Sequence, residues 1–589
     1  MSSLPQSDPP LGGTPLGGAS APTPRRREVD WQISAQEREV DRLTGMIETG
    51  SLAEAAEAAA WSELDHFRRA PRGSMESARS HTWLEWMLGL PWHQTRRRGT
   101  DKERFRRVIE ALRQSHVGLE DVKQRIAEYL AVRVLGGGRV GGTVLCFVGP
   151  PGSGKSSMGE AIARALGRPC VTLPVGAFTE EGELAGRPHR TDSGSPGAIL
   201  AGLHRTGVDD PVVLLDEVDK LRLGGEGTSA GALLQLLDPE KNARFMDRYL
   251  GTAFDLSRCL FLATANDALD LPEALLDRME TIEFPGYCEA EKLVIARRHL
   301  IPRARKHAAV SAKQFKITPA ALESLIRGYT EEAGVRDLSR RLTALARKAA
   351  LSVVEGGPGL GVKKIDLMPL LGPRTADEQL RLRRPVVGVA MGLAWTNVGG
   401  ALLPVESIAV PGSGRLILTG QLGEVLRESA QTALTLVRSR LQDLELDPGS
   451  LDNLDLHLHF PGASTPKDGP SAGVAIVAAL CSLLSQIPVR HDLAMTGEVS
   501  LLGQVLPVGG VREKLLAAVR SGIPEVAVPR SNAEDTMRLP ADTRRQLTIH
   551  LVSDIYELLD LALCRDPDRA KIGASTSRRN SSAARARRR

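Results

Sequence analysis

The stretch GPPGSGKSS, residues 149–157, satisfies the spacing G-x-x-x-x-G-K-[ST] between an apolar run, TVLCFVG, and a helical segment, KSSMGEAIARALG. A glycine-rich turn in that setting aims several backbone N–H groups at one point, where the phosphates of a nucleoside triphosphate can be held. Gly149, Gly152 and Gly154 supply the backbone freedom, Lys155 a positive charge, and Ser156 a hydroxyl able to ligate Mg²⁺; Pro150, Pro151, Ser153 and Ser157 complete the loop. Downstream, VVLLDEVDK ends an apolar strand in two adjacent carboxylates, which are costly to bury without a cation or hydrogen-bond donors. Asp216 is expected to hold the Mg²⁺ of bound ATP and Glu217 to polarise the attacking water, with Asn266, at the end of FLATAND, orienting that water.

A second constellation lies in TPKDGPSAGVAIVAALCSLL, residues 465–484, where Ser471 heads a long apolar run. A serine hydroxyl is a poor nucleophile until a neighbour removes its proton. One kind of base is histidine: DLHLHF carries His457 and His459, which strand alternation directs to a single face. The other is Lys514, which follows the Gly509-Gly510 turn near the start of an amphipathic helix, GVREKLLAAVRSG. An ordinary lysine, with a pKa of ~10.4, is protonated at neutral pH, but desolvation lowers that value, and serine-lysine pairs are a known variant of the catalytic triad. The residues alone leave both bases open. Gly469, Pro470 and a helix N-terminus at Ser471 should leave backbone N–H groups free for an oxyanion, and Asp468 should neutralise a nearby charge or cap the turn.

These groups need a scaffold. Residues 28–119 read as helices, with apolar side chains at helical spacing in QEREVDRLTGMIETG, SLAEAAEAAAWSELDHF and SARSHTWLEWMLGLPW; Trp83, Trp86 and Trp92 form a core stripe or a subunit contact. From about residue 120 apolar strands (143–149, 170–176, 211–216 and 259–266) alternate with helices, which implies a parallel sheet. A helical region spans about 286–372, a charged linker 373–384, and short strands and helices fill 385–565. Arg278 in LLDRME and Arg336 in EEAGVRDLSR suit the two arginine roles of a ring ATPase, one reaching a neighbouring subunit's γ-phosphate and one sensing nucleotide from the helical lid. In this order the set resembles the AAA+ ATPases.

The whole chain from about residue 75 to 560 resembles the Lon family of ATP-dependent serine proteases: TPKDGPSAG matches its nucleophile loop, GVREKLLAA its lysine segment, and GLAWTNVGGALLPVE and LTGQLGEVLRESAQTAL the start of its proteolytic domain. The resemblance implies Ser471 as nucleophile, Lys514 as base and Thr496 as a partner for the lysine. It implies a multidomain α/β chain: a helical N-terminal stalk (28–119), a P-loop ATPase of α/β type (120–285) with a helical lid (286–372), and an α+β proteolytic domain (385–565). It further implies a homo-oligomer, hexameric in this family, that uses ATP and Mg²⁺ to degrade unstructured or damaged proteins and selected regulators. Two departures stand out. Only a Pro/Gly leader (1–27) and the helical region precede the ATPase, so the usual substrate-recruiting domain is missing and selection falls to the stalk, the pore or an adaptor. In RPHRTDSGSPGAI, Asp192 and Ser193 stand where the family presents an aromatic and an aliphatic residue to the central pore, which predicts weak unfolding power.

Composition narrows the alternatives. The formal net charge is +5, but the C-terminal TSRRNSSAARARRR carries six arginines and no acid, so the basicity is mostly a tail (566–589). That tail makes a weak nucleic-acid contact the rival reading, alongside an ATPase chaperone whose protease is vestigial. Removing the tail and measuring DNA retention at two salt concentrations separates the first rival. Six cysteines without a CxxC pair fit a reducing cytoplasm, and neither a signal peptide nor an apolar span of ~20 residues is present to suggest a membrane.

Overall fold

A computed structural model describes residues 25–92, 101–135, 144–221, 229–374 without 269, 382–396, 399–444, 451, 453–462 and 467–564. The leader before residue 25, most of the 373–384 linker and the arginine-rich tail lie outside the described residues. The chain divides into two compact units, one formed by residues 1–96, 180–209 and 243–256, the other by the rest.

The first unit is built on α1 (Arg25–Thr49), α2 (Glu54–Arg69) and α3 (Met75–Gly89). Ser74 starts α3 by accepting the Ser77 N–H at 3.1 Å. Of the three tryptophans Trp83 belongs to its interior, 2% exposed and donating its indole N–H to the Tyr249 carbonyl, while Trp86, near His204, and Trp92, near Phe254, are half-buried. The segment carrying Asp192 is a small hairpin closed by reciprocal backbone bonds between Arg187 and Ser195.

The second unit begins with α4 (Asp101–Ser115) and α5 (Glu120–Leu135) and contains a parallel sheet of β1 (Val144–Val148), β2 (Cys170–Pro174), β3 (Val212–Asp216), β4 (Leu260–Ala265) and β5 (Met279–Glu283), in the order β2-β3-β4-β1-β5. Four of these strands are the continuous apolar runs of the sequence. β5, METIE, is an edge strand with only two buried residues, so it offers no such run and goes unread. α6 (Lys155–Leu166) follows β1, and its buried Met158, Ala161 and Ile162 share one core with Leu145, Phe147 and Leu262 of the sheet. The same core runs into the helices α7 (Glu289–Ile295), α8 (Pro319–Tyr329) and α9 (Arg336–Val354). That region is not wholly helical: Phe315–Ile317 pairs in parallel with Leu360–Val362.

A seven-stranded mixed sheet follows, of β6 (Val389–Thr396), β7 (Gly399–Pro411), β8 (Leu416–Thr419), β9 (Leu454–His459), β10 (Leu493–Met495), β11 (Glu525–Pro529) and β12 (Thr548–Val552), in the order β8-β9-β7-β6-β10-β11-β12. α10 (Glu424–Ser439) and the almost wholly buried α11 (Gly473–Ser485) pack with one face of it, through Leu456, Leu458 and Met495. α12 (Val511–Arg520) packs with the other, through Met391, Leu393 and Ala494. No helix of the described residues is long and apolar enough to cross a membrane.

Candidate active sites

At the end of β1 the chain turns through Gly152 (φ +80°) and Gly154 (φ +98°), left-handed conformations that a side chain would strain, before α6 begins at Lys155. The loop is also crowded. A Cβ on Gly152 would stand 2.9 Å from the backbone nitrogen of Arg336, and Val335 N–H donates to the Gly152 carbonyl at 3.2 Å, so the start of α9 sits against the loop. The Tyr287 hydroxyl donates to the Ser153 carbonyl at 2.6 Å.

Lys155 is 8% exposed and donates to the carbonyls of Gly149 (2.5 Å) and Pro150 (3.1 Å) and to Asn266 Oδ1 (3.2 Å). Burial pushes its amine down to about 8 against the pull of Asp219, Asp216 and Glu217. Asp216 accepts from Ser156 Oγ at 2.9 Å and from Thr264 Oγ1 at 2.5 Å, so the two expected metal ligands already meet. Glu217 is held at φ 59°, a left-handed conformation costing a non-glycine residue about 1 kcal/mol or more, and its carboxylate pairs with Lys220. Two buried atoms beside these groups, Ser153 Oγ and Asp219 Oδ1, lack a hydrogen-bond partner among the described residues. The left-handed glycine turn, a cation and orphaned polar atoms fit the phosphates of a nucleotide and its metal ion.

Arg278 lies elsewhere. It precedes β5 beside Val144, at the opposite end of β1 from the loop, and its guanidinium donates to the Ala274 carbonyl. Three site groups had weak or no sequence signal. Asp219, which accepts both N–H groups of Asn266, was legible in DEVDK as a further acid after the strand. Tyr287 and His116, whose Nε2 meets Ser157 Oγ at 3.0 Å, carry no local motif and are found only through the fold.

The second site gathers at the end of β10. Ser471 lies in a 3₁₀ turn, Pro470–Ala472, and α11 begins only at Gly473, two residues later than expected. The Ser471 carbonyl accepts the Gly497 N–H at 3.0 Å and Thr496 Oγ1 at 3.4 Å. Asp468 accepts from Leu426 N–H (3.0 Å), capping α10, and from Gly469 N–H (2.9 Å). The Gly469 N–H is therefore already taken and is not free for an oxyanion, contrary to the sequence expectation; Pro470 has none. The amides of Ser471 and Ala472 are the ones left by this geometry.

Strand alternation places the other groups. On β10, Ala494 packs with α12 and Met495 with α11, so Thr496 points to the α12 side. Lys514 shares the inward stripe of α12 with Val511, Leu515 and Ala518, which leaves it 2% exposed. Loss of hydration pushes its amine down to about 8, with Glu513 opposing the shift. His457 and His459 alternate with the buried Leu456 and Leu458 and both meet Thr419 Oγ1, at 2.9 and 2.7 Å. β9 lies three strand spacings from β10, about 14 Å, so the histidines stand well to the side of Ser471.

Three family models match successive parts of the chain. Residues 145–287 match the ATPase family associated with various cellular activities, 306–361 the Lon protease AAA+ ATPase lid domain, and 361–565 the Lon protease (S16) C-terminal proteolytic domain. The chain is 46% identical over 531 residues to a Lon protease of Roseiflexus castenholzii, covering 89% of this chain and 66% of that protein. A Lon protease of Dictyoglomus thermophilum is 44% identical over 534 residues, at 90% and 67% coverage, and one of Aquifex aeolicus is 45% identical over 509, at 85% and 63%. The chain thus spans about two thirds of the length of these curated relatives.

Proposed function

The chain belongs to the Lon protease family, and from that premise we propose that it is an ATP-dependent serine endopeptidase that degrades unfolded, damaged or selected regulatory proteins. The observation that carries the reading is the desolvated Lys514 on α12, a helix packed on the sheet at whose β10 end Thr496 bonds the Ser471 carbonyl. A neutral amine takes the Ser471 hydroxyl proton as Oγ attacks the scissile carbonyl, and returns it to the departing amine; water then hydrolyses the acyl-enzyme by the reverse proton path. The Ser471 and Ala472 amides receive the oxyanion.

At the nucleotide loop Ser156 and Asp216 would hold Mg²⁺, which supplies charge neutralisation at the ATP phosphates. Lys155 binds the β- and γ-phosphates, Glu217 polarises the attacking water, Asn266 orients it, and Arg336 contacts the nucleotide from the lid. Arg278, remote from its own loop, acts on a neighbour's nucleotide in a homo-oligomeric ring, taken as a hexamer. The six cysteines form no disulfide with one another, in keeping with a cytoplasmic protein.

Digestion of an unstructured protein, with ATP, ADP or no nucleotide, beside a Ser471→Ala variant tests the reading. Wild type should cut fastest with ATP and the variant not at all. ATP hydrolysis without cutting by either would replace the protease with a chaperone.

The hairpin tip supports weak unfolding power. Asp192 is 97% exposed in its side chain, and it and the Arg190 carbonyl are held by Arg79, while Arg190 pairs with Glu63. A carboxylate already bound to α3 gives an unfolding chain little apolar grip. Asp192→Tyr should accelerate ATP-driven degradation of a stable folded domain while leaving digestion of an unstructured protein within about twofold, the small change expected of an exposed site. Rapid degradation of the folded domain by wild type would refute the weak-grip reading.

A further inference from the structure

A cavity of about 310 Å³, at the lower end of the ~300–1,000 Å³ range of small-molecule sites, lies among α7, α8 and α12, with Tyr287 of the nucleotide site on its wall. Its walls are apolar at Leu293, Ile326, Leu516 and Val519, and three cations line it, Arg327, Lys292 and Arg520, of which the last two matter here. Lys292 is 6% exposed and its ammonium donates to the Glu332 carbonyl; the Arg520 guanidinium donates to the Gly400 carbonyl at 2.6 Å. Neither has an ion-pair partner among the described residues.

The acids around the cavity do not fill that role. Glu289 is matched by Arg327 at 2.8 Å and Asp542 by Arg545 at 2.9 Å, while the Glu332 carboxylate accepts the Asp337 and Leu338 N–H groups at the start of α9. Glu331 and Glu332 act on the cations only at electrostatic range, and Glu323 and Glu513 complete the acidic lining. Loss of hydration, and behind it repulsion from Arg520, push the Lys292 amine down to about 8 in spite of Glu332. Two neighbouring cations with backbone carbonyls for company are an expensive arrangement unless an anion joins them.

We propose that this cavity binds a small amphipathic carboxylate, its acid group between Lys292 and Arg520 and its apolar body against Leu293, Ile326, Leu516 and Val519. A carboxylate offers two acceptors for the ammonium and guanidinium, and its apolar body replaces water on the surrounding wall. Titration calorimetry of the full chain with octanoate, and with 1-octanol as the uncharged control, is the test. Octanoate should bind once per chain, at least about tenfold more weakly in Lys292→Met and in Arg520→Met, the loss expected for one charge-assisted hydrogen bond. Arg327→Met, which removes a cation already matched by Glu289, should leave the affinity unchanged. Val519→Phe should abolish binding by filling the space while both charges remain, so the outcome does not hang on one variant folding.

Octanol binding as tightly as octanoate, unchanged affinity in both methionine variants, or no binding at millimolar octanoate would overturn the proposal. Because the readout is binding and not cleavage, its failure leaves the protease reading standing.

Discussion

Lys514→Gln abolishes peptide cleavage, by at least about 10³-fold, while ATP hydrolysis continues. The size follows from what the side chain replaces. The rival bases, the two histidines, stand about three strand spacings away and are engaged with Thr419. Glutamine keeps nearly the same length and apolar stem, so the packing of α12 against β6 and β10 survives and the loss is one of chemistry. The pH dependence carries the same signature. With the Lys514 amine at about 8, roughly a tenth is neutral at pH 7 and nine tenths at pH 9, so cleavage by wild type should rise about tenfold across that interval. The sign is fixed: the base works only when deprotonated, and activity is lost as pH falls. Circular dichroism and ATPase rates on the variant, beside cleavage of a fluorogenic peptide, check it.

Lys155→Ala lowers ATP hydrolysis by at least about 10²-fold and takes digestion of unstructured proteins down with it. The side chain now satisfies two loop carbonyls and Asn266, and a phosphate group reaching the loop would draw the same ammonium outward. Removing it deprives the nucleotide of its fixed cation, whereas the loop conformation is held independently by the left-handed Gly152 and Gly154 and by the Val335 bond. Nucleotide affinity and turnover therefore fall without unfolding. Digestion that persisted at the wild-type rate in a variant unable to hydrolyse ATP would break the link between the two sites.

Much of this organisation was legible because it rests on local rules. The three inner strands of the ATPase sheet and the edge strand β2 lie in apolar runs, and the phosphate loop is a spacing of glycines that a strand-turn-helix uses. The edge strand Met279–Glu283 and the pair Phe315–Ile317 with Leu360–Val362 were missed because short, half-exposed strands lack that run. At the serine site the candidate residues were readable, but their relation was not. Lys514 looks like any charged residue near a helix start; only the packing of Val511, Leu515 and Ala518 against the sheet shows that it points inward and loses its water. The fate of the Gly469 amide, taken by Asp468, likewise depends on side-chain geometry that spacing does not encode.

The rate at which a peptidyl fluorophosphonate modifies the intact chain, followed by mass spectrometry across the pH range, tests the Ser471-Lys514 reading most directly. A single adduct on the peptide containing Ser471, forming along a curve with its midpoint near about 8 and absent in Lys514→Gln, is the expected result. An adduct at another residue, or one on Ser471 whose rate turns near the ~6.5 of an ordinary histidine and persists in Lys514→Gln, would contradict it.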